Sequence, residues 1–298
     1  MEYDPEKLPG MKKKTVLITG CSSGFGRALV PAFLDIGWKV TATLRHAKDR
    51  ENLFSEEIRK YPGSLEILSL DVAREEDRKE MGRAFERRGE GLDVLVNNAG
   101  YGLFGALEDL TEAQLRAQME VNFFGLVFLT QTLLPALRKT RGRVINISSV
   151  MGTFGFPLSL GYVSSKFALE GFSECLYYEL KPHGVQVCLV EPGRHRTSFT
   201  PNMVWGEKSF EANSPYAPQT TLYNRARKDL TAQSVIPMEK VVRKVIQLTQ
   251  AKSMPLRVPV GTDAWFVKIF QASLPEWMRT ALLSMFYRRL LAKQAHPQ

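Results

Sequence analysis

A chain of 298 residues with 44% hydrophobic and 24% charged residues has the composition of a soluble globular protein and is long enough to bury a substantial core. Three scattered cysteines predict a reducing compartment, and four scattered histidines predict no metal site. The net charge of +9 suits an anionic partner, but the basic residues are dispersed, which speaks against nucleic acid and favours an anionic cofactor or a membrane surface.

Residues 1–13 carry no apolar segment of the kind that a secretory signal needs. No run reaches the roughly 18 apolar residues of a membrane span. We therefore expect a cytoplasmic protein, and we interpret residues 1–13 as an N-terminal extension.

Short β-branched runs alternate with helical patterns along the chain. The patterns predict strands within 14–20, 38–44, 65–72, 92–100, 142–149 and 185–193, a weaker strand within 256–261, and helices near 25–36, 48–60, 74–88, 111–139, 158–181 and 238–250. The strands are almost continuously apolar, which is typical of a parallel sheet covered on both faces. The alternation predicts a doubly wound α/β fold, as one domain over residues 14–262. Pro31 predicts that the first helix is either kinked or begins later than its pattern indicates.

The first strand leads directly into the sequence TGCSSGFGRAL, which places Gly20, Gly24 and Gly26 between a strand and a helix. Glycine permits positive φ and a close approach of the backbone to a ligand. The free N–H groups at a helix start bind a pyrophosphate. The turn therefore favours a dinucleotide site over an ordinary tight turn.

The end of the second predicted strand indicates which dinucleotide is bound. A carboxylate there would hold the ribose 2′-hydroxyl of NAD, but this sequence has Leu44 followed by Arg45. A guanidinium suits the 2′-phosphate of NADP(H). The other interpretation of Arg45 is a solvated basic loop.

Tyr162 and Lys166 are four residues apart on the helix predicted near 158–181, which places a phenol beside an ammonium on one face. Such a pair can be surface decoration. It can also be catalytic, because a neighbouring ammonium favours the phenolate and lowers the tyrosine pKa toward neutral pH, where the phenol becomes a usable acid and base.

Several motifs in one order make the chain resemble the short-chain dehydrogenase/reductase family over about residues 12–200. They are the glycine turn Thr19–Gly26, the pair Asp71-Val72, the run Asn97-Asn98-Ala99-Gly100, the residues Asn122, Ser149, Tyr162 and Lys166, and Pro192-Gly193 followed by Thr197. The sequences SSVMGTFGFP, YVSSKFALEGF and LVEPG are similar to the hydroxysteroid and retinol dehydrogenase branch.

The resemblance implies a Rossmann fold, an enzyme, and a set of site residues. The implied catalytic residues are Asn122, Ser149, Tyr162 and Lys166. The implied cofactor-binding residues are Gly20, Ser22, Ser23, Gly24, Phe25, Gly26, Arg45, Asp71, Val72, Asn98, Ala99, Gly100, Tyr162, Lys166, Pro192, Gly193 and Thr197. Ser149 and Tyr162 would donate hydrogen bonds to the oxygen on which negative charge develops. Lys166 would also hold the nicotinamide ribose, and Asn122 would support a water that feeds protons to Lys166.

Two segments depart from the family core. Residues 198–236 are predicted to be a long loop with aromatic residues, which we interpret either as a lid over a hydrophobic substrate or as core or dimer packing. Residues 263–298 form an amphipathic helical extension that combines aromatic and basic residues. It can cap the pocket, join subunits or lie on an anionic membrane surface.

The sequence thus predicts an NADP(H)-dependent oxidoreductase that interconverts a ketone or aldehyde and an alcohol on a steroid-, retinoid- or lipid-like substrate. The alternatives are a small-ketone or 3-oxoacyl reductase, and an NADP-binding regulator without turnover. The resemblance also implies a homodimer or homotetramer, with a four-helix interface formed by the helices near 111–139 and 158–181.

Overall fold

A parallel sheet of seven strands forms the centre of the computed structural model, which describes residues 13–195, 203–232 and 236–295. The described residues contain nine strands in all, which are, in chain order, β1 (Thr15–Ile18), β2 (Lys39–Leu44), β3 (Leu65–Ser69), β4 (Val94–Asn97), β5 (Gly102–Phe104), β6 (Arg143–Ile147), β7 (Gln186–Pro192), β8 (Met203–Trp205) and β9 (Arg257–Val260). The sheet order is β3-β2-β1-β4-β6-β7-β9, and β5 pairs with β8 in a separate two-stranded parallel sheet.

Ten α-helices accompany these strands in the described residues. They are α1 (Gly24–Asp35), α2 (Ser55–Lys60), α3 (Glu75–Arg88), α4 (Glu112–Met119), α5 (Gly125–Thr140), α6 (Leu160–Leu180), α7 (Ala217–Ala232), α8 (Glu239–Gln250), α9 (Thr262–Ser273) and α10 (Glu276–Ala295). A π-helical turn at Glu120–Phe124 joins α4 to α5, and a 3₁₀ segment at Ala47–Phe54 precedes α2.

Two hydrophobic layers cover the two faces of the sheet. On β1, Val16 and Ile18 face the layer that α1 and α8 complete, and Leu17 faces the layer built by α3, α5 and α6. Successive strand residues point to opposite faces, so burial on both sides requires the continuous apolar runs seen in the sequence. Each such buried aliphatic side chain contributes about 1.5–3 kcal/mol. The predicted doubly wound α/β fold is confirmed.

Several local predictions needed correction. The helix α1 runs from Gly24 through Pro31, so it does not begin later. The pair Asp71-Val72 lies beyond the end of β3 rather than within it. The stretch 198–236 is not one long loop, because its described part contains β8 and the 16-residue helix α7.

Among the described residues, one helix, Glu112–Thr140, is long and apolar enough to cross a membrane by length and composition, although no unbroken apolar run of that length was found in the sequence. Its Leu129, Leu133 and Leu137 are buried against the sheet. This is how an amphipathic core helix behaves.

Candidate active site

The carboxyl ends of the parallel strands meet at one edge of the sheet, where β1 has β2 on one side and β4 on the other. In doubly wound sheets, ligands bind at such a reversal of strand order. The glycine turn lies directly after β1 at this point. Gly20 and Gly24 have φ angles of +71° and +58°, which side chains other than glycine rarely adopt.

Hydrogen bonds from one threonine connect the glycine turn to the loop after β4. The hydroxyl of Thr19 accepts from the backbone N–H groups of Asn98 and Ala99, both at 2.9 Å. The Asn98 amide donates in return to the Thr19 carbonyl at 2.8 Å. These reciprocal bonds fix the two loops against each other, and they give Asn98 and Ala99 a structural role beside the one that the resemblance implies.

The shape of the glycine turn fits a dinucleotide. A Cβ atom at Gly26 would overlap the carbonyl oxygen of Gly20, and a Cβ atom at Gly24 would meet nothing within 4 Å. The turn is therefore closed on its protein side and open at Gly24. Because α1 begins at Gly24 without an acidic residue in its first turn, its N-terminal N–H groups can receive a pyrophosphate. Ser22, Ser23 and Phe25 belong to the same turn.

Arg45 and Asp71 stand where β2 and β3 end on the same edge. Arg45 is exposed. Burial raises the pKa of Tyr101, which follows β4, and the charge of Arg45 opposes that shift. The carboxylate of Asp71 accepts from the N–H of Ala73 at 3.0 Å, and the carbonyl of Val72 accepts from Arg78 at 2.6 Å.

The segment after β7 is held by a residue that has no predicted role. Asp263, at the start of α9, accepts from the backbone N–H groups of Arg194 at 2.6 Å and Ala264 at 2.9 Å. A Cβ atom at Gly193 would overlap this carboxylate, which explains the glycine after Pro192. Thr197 lies outside the described residues.

Asn122 lies in the π-helical turn between α4 and α5, and its described side-chain hydrogen bonds all join it to other residues of this chain. Its amide donates to the Tyr101 carbonyl at 2.9 Å and to the Ser165 hydroxyl at 3.1 Å, and its oxygen accepts from the Tyr101 N–H at 3.0 Å. A π-turn is often found at functional sites because it turns a helix side chain out of the regular register. Here it places Asn122 between the loop after β4 and α6.

Ser149, Tyr162 and Lys166 come together where β6 ends against the first turns of α6, and all three are buried. Ser149 follows β6 and accepts from the Met151 N–H at 3.1 Å. The side chains of Ser149 and Tyr162 form a hydrogen bond. Lys166 donates to the Ile147 carbonyl at 2.8 Å, and its Nζ lies 5.8 Å from the centroid of the Tyr162 ring. The surface-decoration interpretation of the Tyr162–Lys166 pair is therefore wrong.

The pKa of Tyr162 moves opposite to the direction that the four-residue spacing predicts. Burial raises the pKa of Tyr162 to about 12, and the bond with Ser149 lowers it only in part. Burial also lowers the pKa of Lys166 to about 8, against the attraction of Glu170. Desolvation disfavours the charged form of either group, and it outweighs the bond with Ser149 at Tyr162 and the attraction of Glu170 at Lys166.

A series of aromatic ring contacts begins at Tyr162. Phe104 of β5 stacks on Tyr162 with ring centroids 5.8 Å apart. Trp205 of β8 and Tyr223 of α7 lie 6.0 and 6.4 Å from Phe104, and Phe156 lies 5.8 Å from Tyr223. We call Phe104, Phe156, Trp205 and Tyr223 the aromatic cluster.

Three residues that hold the site in place have no site role among the sequence-based predictions. Thr19 is predicted only as part of the glycine motif and Asp263 only as the start of the extension, and Ser165 has no predicted role. A threonine directly before a strand-end glycine is a usable signal, because its hydroxyl must find partners. Ser165 and Asp263 act over 43 and 69 residues of chain, and no local pattern indicates such contacts.

Comparison with known proteins agrees with this geometry. The short chain dehydrogenase family model matches residues 14–207. The chain is 35% identical over 281 residues to a 3-ketodihydrosphingosine reductase of Bacteroides thetaiotaomicron, covering 93% of this chain and 99% of the relative. It is 34% identical to an NADPH-dependent 3-dehydrocapnine reductase of Ornithobacterium rhinotracheale, covering 92% and 96%. It is 43% identical over 196 residues to human 17-beta-hydroxysteroid dehydrogenase type 1, covering 63% and 59%.

The chain therefore belongs to the short-chain dehydrogenase family of oxidoreductases. The predicted kinship with hydroxysteroid dehydrogenases is confirmed by the human relative.

Proposed function

We propose that the protein is an NADP(H)-dependent oxidoreductase that interconverts a ketone or aldehyde and an alcohol on a hydrophobic, lipid- or steroid-like substrate. The observation that carries this proposal is the buried group of Ser149, Tyr162 and Lys166 beside the open glycine turn. Bound NADPH supplies the hydride. The residues of this chain then have to hold the carbonyl oxygen and provide a proton.

Tyr162 is the proton donor in this proposal. Since burial raises its pKa to about 12, the phenol is fully protonated at neutral pH and can donate to an oxygen that becomes basic. Ser149, already bonded to Tyr162, provides the second hydrogen bond to the same oxygen. Lys166 lies next to the Tyr162 ring, where its positive charge stabilises a phenolate after the proton has left.

Asn122 holds the helix segment that carries Tyr162 and Lys166 in place. It connects the loop after β4 to Ser165, which is next to Lys166 on α6. We assign to it the positioning of this helix segment, together with the water-holding role that the resemblance implies.

The aromatic cluster supports a hydrophobic substrate. One of its rings, Phe104, stacks on Tyr162, and the other three extend the contacts outward from Phe104, so that the four rings together form an apolar wall. Two relatives are named as reductases of 3-ketodihydrosphingosine and 3-dehydrocapnine, and the third as a hydroxysteroid dehydrogenase. We therefore favour a ketone on a long apolar framework over a small ketone.

Arg45 supports NADP(H) over NAD(H). It is exposed at the end of β2, beside the loop after β4, where a guanidinium can bind a 2′-phosphate with two parallel hydrogen bonds. One relative is named as NADPH-dependent. An Arg45→Asp variant should lose about tenfold or more in NADPH affinity while NADH binding is kept, since the variant removes an attractive charge and adds a repulsive one.

The test of the function is NADPH oxidation against a panel of long-chain 3-keto amino lipids, steroid ketones, retinal, 3-oxoacyl thioesters and small ketones, with NADH in parallel. We expect turnover of a bulky apolar ketone with NADPH preferred. Preference for 3-oxoacyl thioesters or small ketones would favour the small-ketone alternative. Cofactor binding without any turnover would favour the regulator.

The C-terminal helices α9 and α10 carry exposed apolar side chains that bear on the environment in which the protein meets such a substrate. Trp265, Phe266 and Ile269 on α9 and Trp277 and Met285 on α10 are exposed, with Phe266 and Trp277 at 70% and 71%. Five basic and two acidic residues lie in the segment 262–295. Exposed tryptophan and phenylalanine with a basic excess suit the surface of an anionic bilayer.

This surface adjoins the active site. Gln271 of α9 donates to the Thr153 carbonyl at 2.7 Å, a few residues after Ser149, and α10 packs on α7, which carries Tyr223. We propose peripheral docking of α9 and α10 on anionic membranes, which would present the aromatic cluster to lipid substrates.

Vesicle flotation tests the docking. Wild-type protein should float with phosphatidylcholine vesicles that contain phosphatidylglycerol, and less with pure phosphatidylcholine. A variant carrying Trp265→Ser, Phe266→Ser and Trp277→Ser should stay in solution, whereas Tyr178→Ser on α6 should still float. A triple variant that instead changes its oligomeric state would assign the surface to subunit contact.

A homodimer is proposed from a different surface. Phe124 and Phe128 of the α4–α5 helix stack with centroids 6.1 Å apart and are exposed, and Phe167 on α6 is exposed as well. Apolar residues on two neighbouring helices are typical of a self-associating face. Light scattering after gel filtration should give twice the chain mass, and Phe124→Glu together with Phe128→Glu should give a monomer.

A further inference from the structure

A row of four side chains continues the catalytic pair along α6. Tyr162, Lys166, Glu170 and Glu174 are spaced by four residues and so follow one stripe of the helix. The stripe begins with the phenol, passes through the ammonium and ends with two carboxylates. Glu170 is the unusual member, because it is only 6% exposed and its position is one helical turn from Lys166.

Glu170 is firmly held on both of its oxygens. The hydroxyl of Ser148 donates to Oε1 at 2.6 Å, and Arg257 of β9 donates to Oε2 at 2.9 Å. Ser148 directly precedes Ser149, so the first bond joins the catalytic end of β6 to α6. A Cβ atom at Gly152 would lie 3.1 Å from both the Glu170 Cγ and the Ser148 Oγ, which shows how closely this contact is packed under the site.

Ion pairs connect Glu170 to a wider network of charged side chains. Arg257 also bonds Glu174 at 2.7 Å and lies 3.7 Å from Glu191, and Glu191 lies 3.4 Å from Lys268 of α9. The charged and titratable groups around Glu170 and its partners are Tyr162, Lys166 and Glu174 on α6, Cys188 and Glu191 on β7, Arg257 on β9, and Lys268 on α9. Apart from Lys166, the cluster contains the cations Arg257 and Lys268 and the three carboxylates of Glu170, Glu174 and Glu191. It therefore has a net negative charge, and Lys166 lies next to it.

A buried ammonium requires such a counter-charge. Removing a lysine from water favours its neutral form unless an anion lies nearby. Burial lowers the pKa of Lys166, and Glu170 is the group that opposes this shift. Lys166 itself donates to the Ile147 carbonyl, so no described hydrogen bond joins it to Glu170, and the interaction acts through space.

We propose that Glu170 is a positioning residue of the active site, which fixes the strand end before Ser149 and keeps Lys166 protonated. The proposal rests on the proposed function of this site. Through Arg257, Glu191 and Lys268, the same network ties α9 to the catalytic lysine.

The test measures the charge of Lys166 without any turnover. In protein labelled with ¹³Cε-lysine, the Lys166 resonance is assigned by its loss in Lys166→Arg, and its chemical shift is followed against pH. Glu170→Gln keeps the shape and the bond with Ser148 but removes the charge. We expect its Lys166 midpoint to fall by about one pH unit, since an opposite charge at this range favours the ammonium.

Two matched variants separate charge from packing. Ser148→Ala removes the hydrogen bond and keeps the carboxylate, and Glu174→Gln removes the second carboxylate that Arg257 binds. Both should leave the Lys166 midpoint within a few tenths of wild type. If Glu170→Gln does not fold, Glu170→Met serves as the second uncharged variant with the same expected fall.

Activity against pH gives the second measurement where a substrate has been found. The alkaline limb of kcat/KM should move to lower pH in Glu170→Gln by the same amount as the Lys166 midpoint. A folded Glu170→Gln with the wild-type midpoint would overturn the proposal, as would an equal shift in Glu174→Gln. Since the titration needs no substrate, a failure of the proposed function would leave this outcome readable.

Discussion

The edge of the sheet and the C-terminal helices hold their important side chains in opposite ways. At the edge, Ser149, Tyr162 and Lys166 are buried and hydrogen-bonded within one small volume. On α9 and α10, large aromatic side chains stand in solvent, and cross-contacts such as Gln271 to Thr153 and Lys268 to Glu191 hold the segment.

This difference corresponds to two different demands. Proton and hydride transfer need reacting groups placed to within a fraction of an ångström, which only a packed and hydrogen-bonded site provides. Contact with an apolar partner needs area rather than placement. The aromatic cluster combines features of the two regions, since Phe104 is buried and stacks on Tyr162, whereas Trp205, which contacts Phe104, is only half-buried.

The largest expected effect is at Tyr162. Tyr162→Phe should lower kcat by about 10³-fold or more, because it removes the general acid and leaves the ring. NADPH affinity, measured by its fluorescence, should change little. Tyr178→Phe, at an exposed position of the same helix, should keep full activity. Wild-type turnover by Tyr162→Phe would remove the proton donor from the proposed mechanism.

The second effect concerns the glycine turn. Gly26→Ala should lower both the thermal midpoint and the NADPH affinity, because the added methyl overlaps the Gly20 carbonyl oxygen, at a cost of about 1–3 kcal/mol. Gly155→Ala, where a Cβ atom meets nothing within 4 Å, is the control and should behave as wild type. Calorimetry and fluorescence titration give the two quantities. An unchanged Gly26→Ala would mean that the turn does not pack as described.

A smaller effect tests the aromatic cluster. Trp205→Ala should raise KM for a bulky apolar ketone by about tenfold, since about 1–2 kcal/mol of apolar contact is lost. Small ketones, which can reach Tyr162 without contacting Trp205, should be turned over nearly as before. Val204→Ala, at an exposed position of the same strand, is the control. Equal losses for large and small ketones would indicate damage to the fold rather than a substrate wall.

The sheet and most of the site could be predicted because their signals are local. Apolar runs give the strands, and the glycine turn and the Tyr162–Lys166 spacing each lie within a dozen residues. Glu170 and Arg257 are 87 residues apart, and Asp263 acts on Arg194 over 69 residues. Neither contact leaves a pattern in the sequence, so the network behind Lys166 could be recognised only in the fold.

The direction of the pKa shifts was also beyond local reasoning. Spacing shows that an ammonium is near a phenol, but it does not show how much water remains around them. Burial decides the outcome here, with the pKa of Tyr162 raised to about 12 and that of Lys166 lowered to about 8. Helix α7 was missed for a related reason, since its apolar face is short and is completed by contacts with residues far away in sequence.

The smallest expected effect is on the free energy of unfolding, and it concerns the buried lysine of the site. Lys166→Met should abolish turnover but stabilise the fold by about 1–2 kcal/mol at pH 7. A lysine pKa lowered from 10.5 to about 8 means that burying the ammonium costs about 3 kcal/mol. The variant also loses the hydrogen bond of 2.8 Å to the Ile147 carbonyl, and this loss reduces the gain in stability by about 1–2 kcal/mol.

The pH dependence of this gain in stability tests whether the gain comes from removing the buried charge of Lys166. Between pH 8 and 10.5 the folded wild type binds fewer protons at Lys166 than the unfolded chain, so wild-type stability from this group rises with pH. The advantage of Lys166→Met should therefore be full below pH 8, fall as the pH rises, and reverse in sign toward pH 10.5, where only the lost hydrogen bond to Ile147 remains. Urea unfolding at pH 7, 9 and 10.5 measures it, with Lys228→Met at an exposed position of α7 as the control. A variant that is less stable than wild type at pH 7, or a gain that does not change with pH, would contradict this prediction. Either result would show that burial of the Lys166 charge does not destabilise the folded protein.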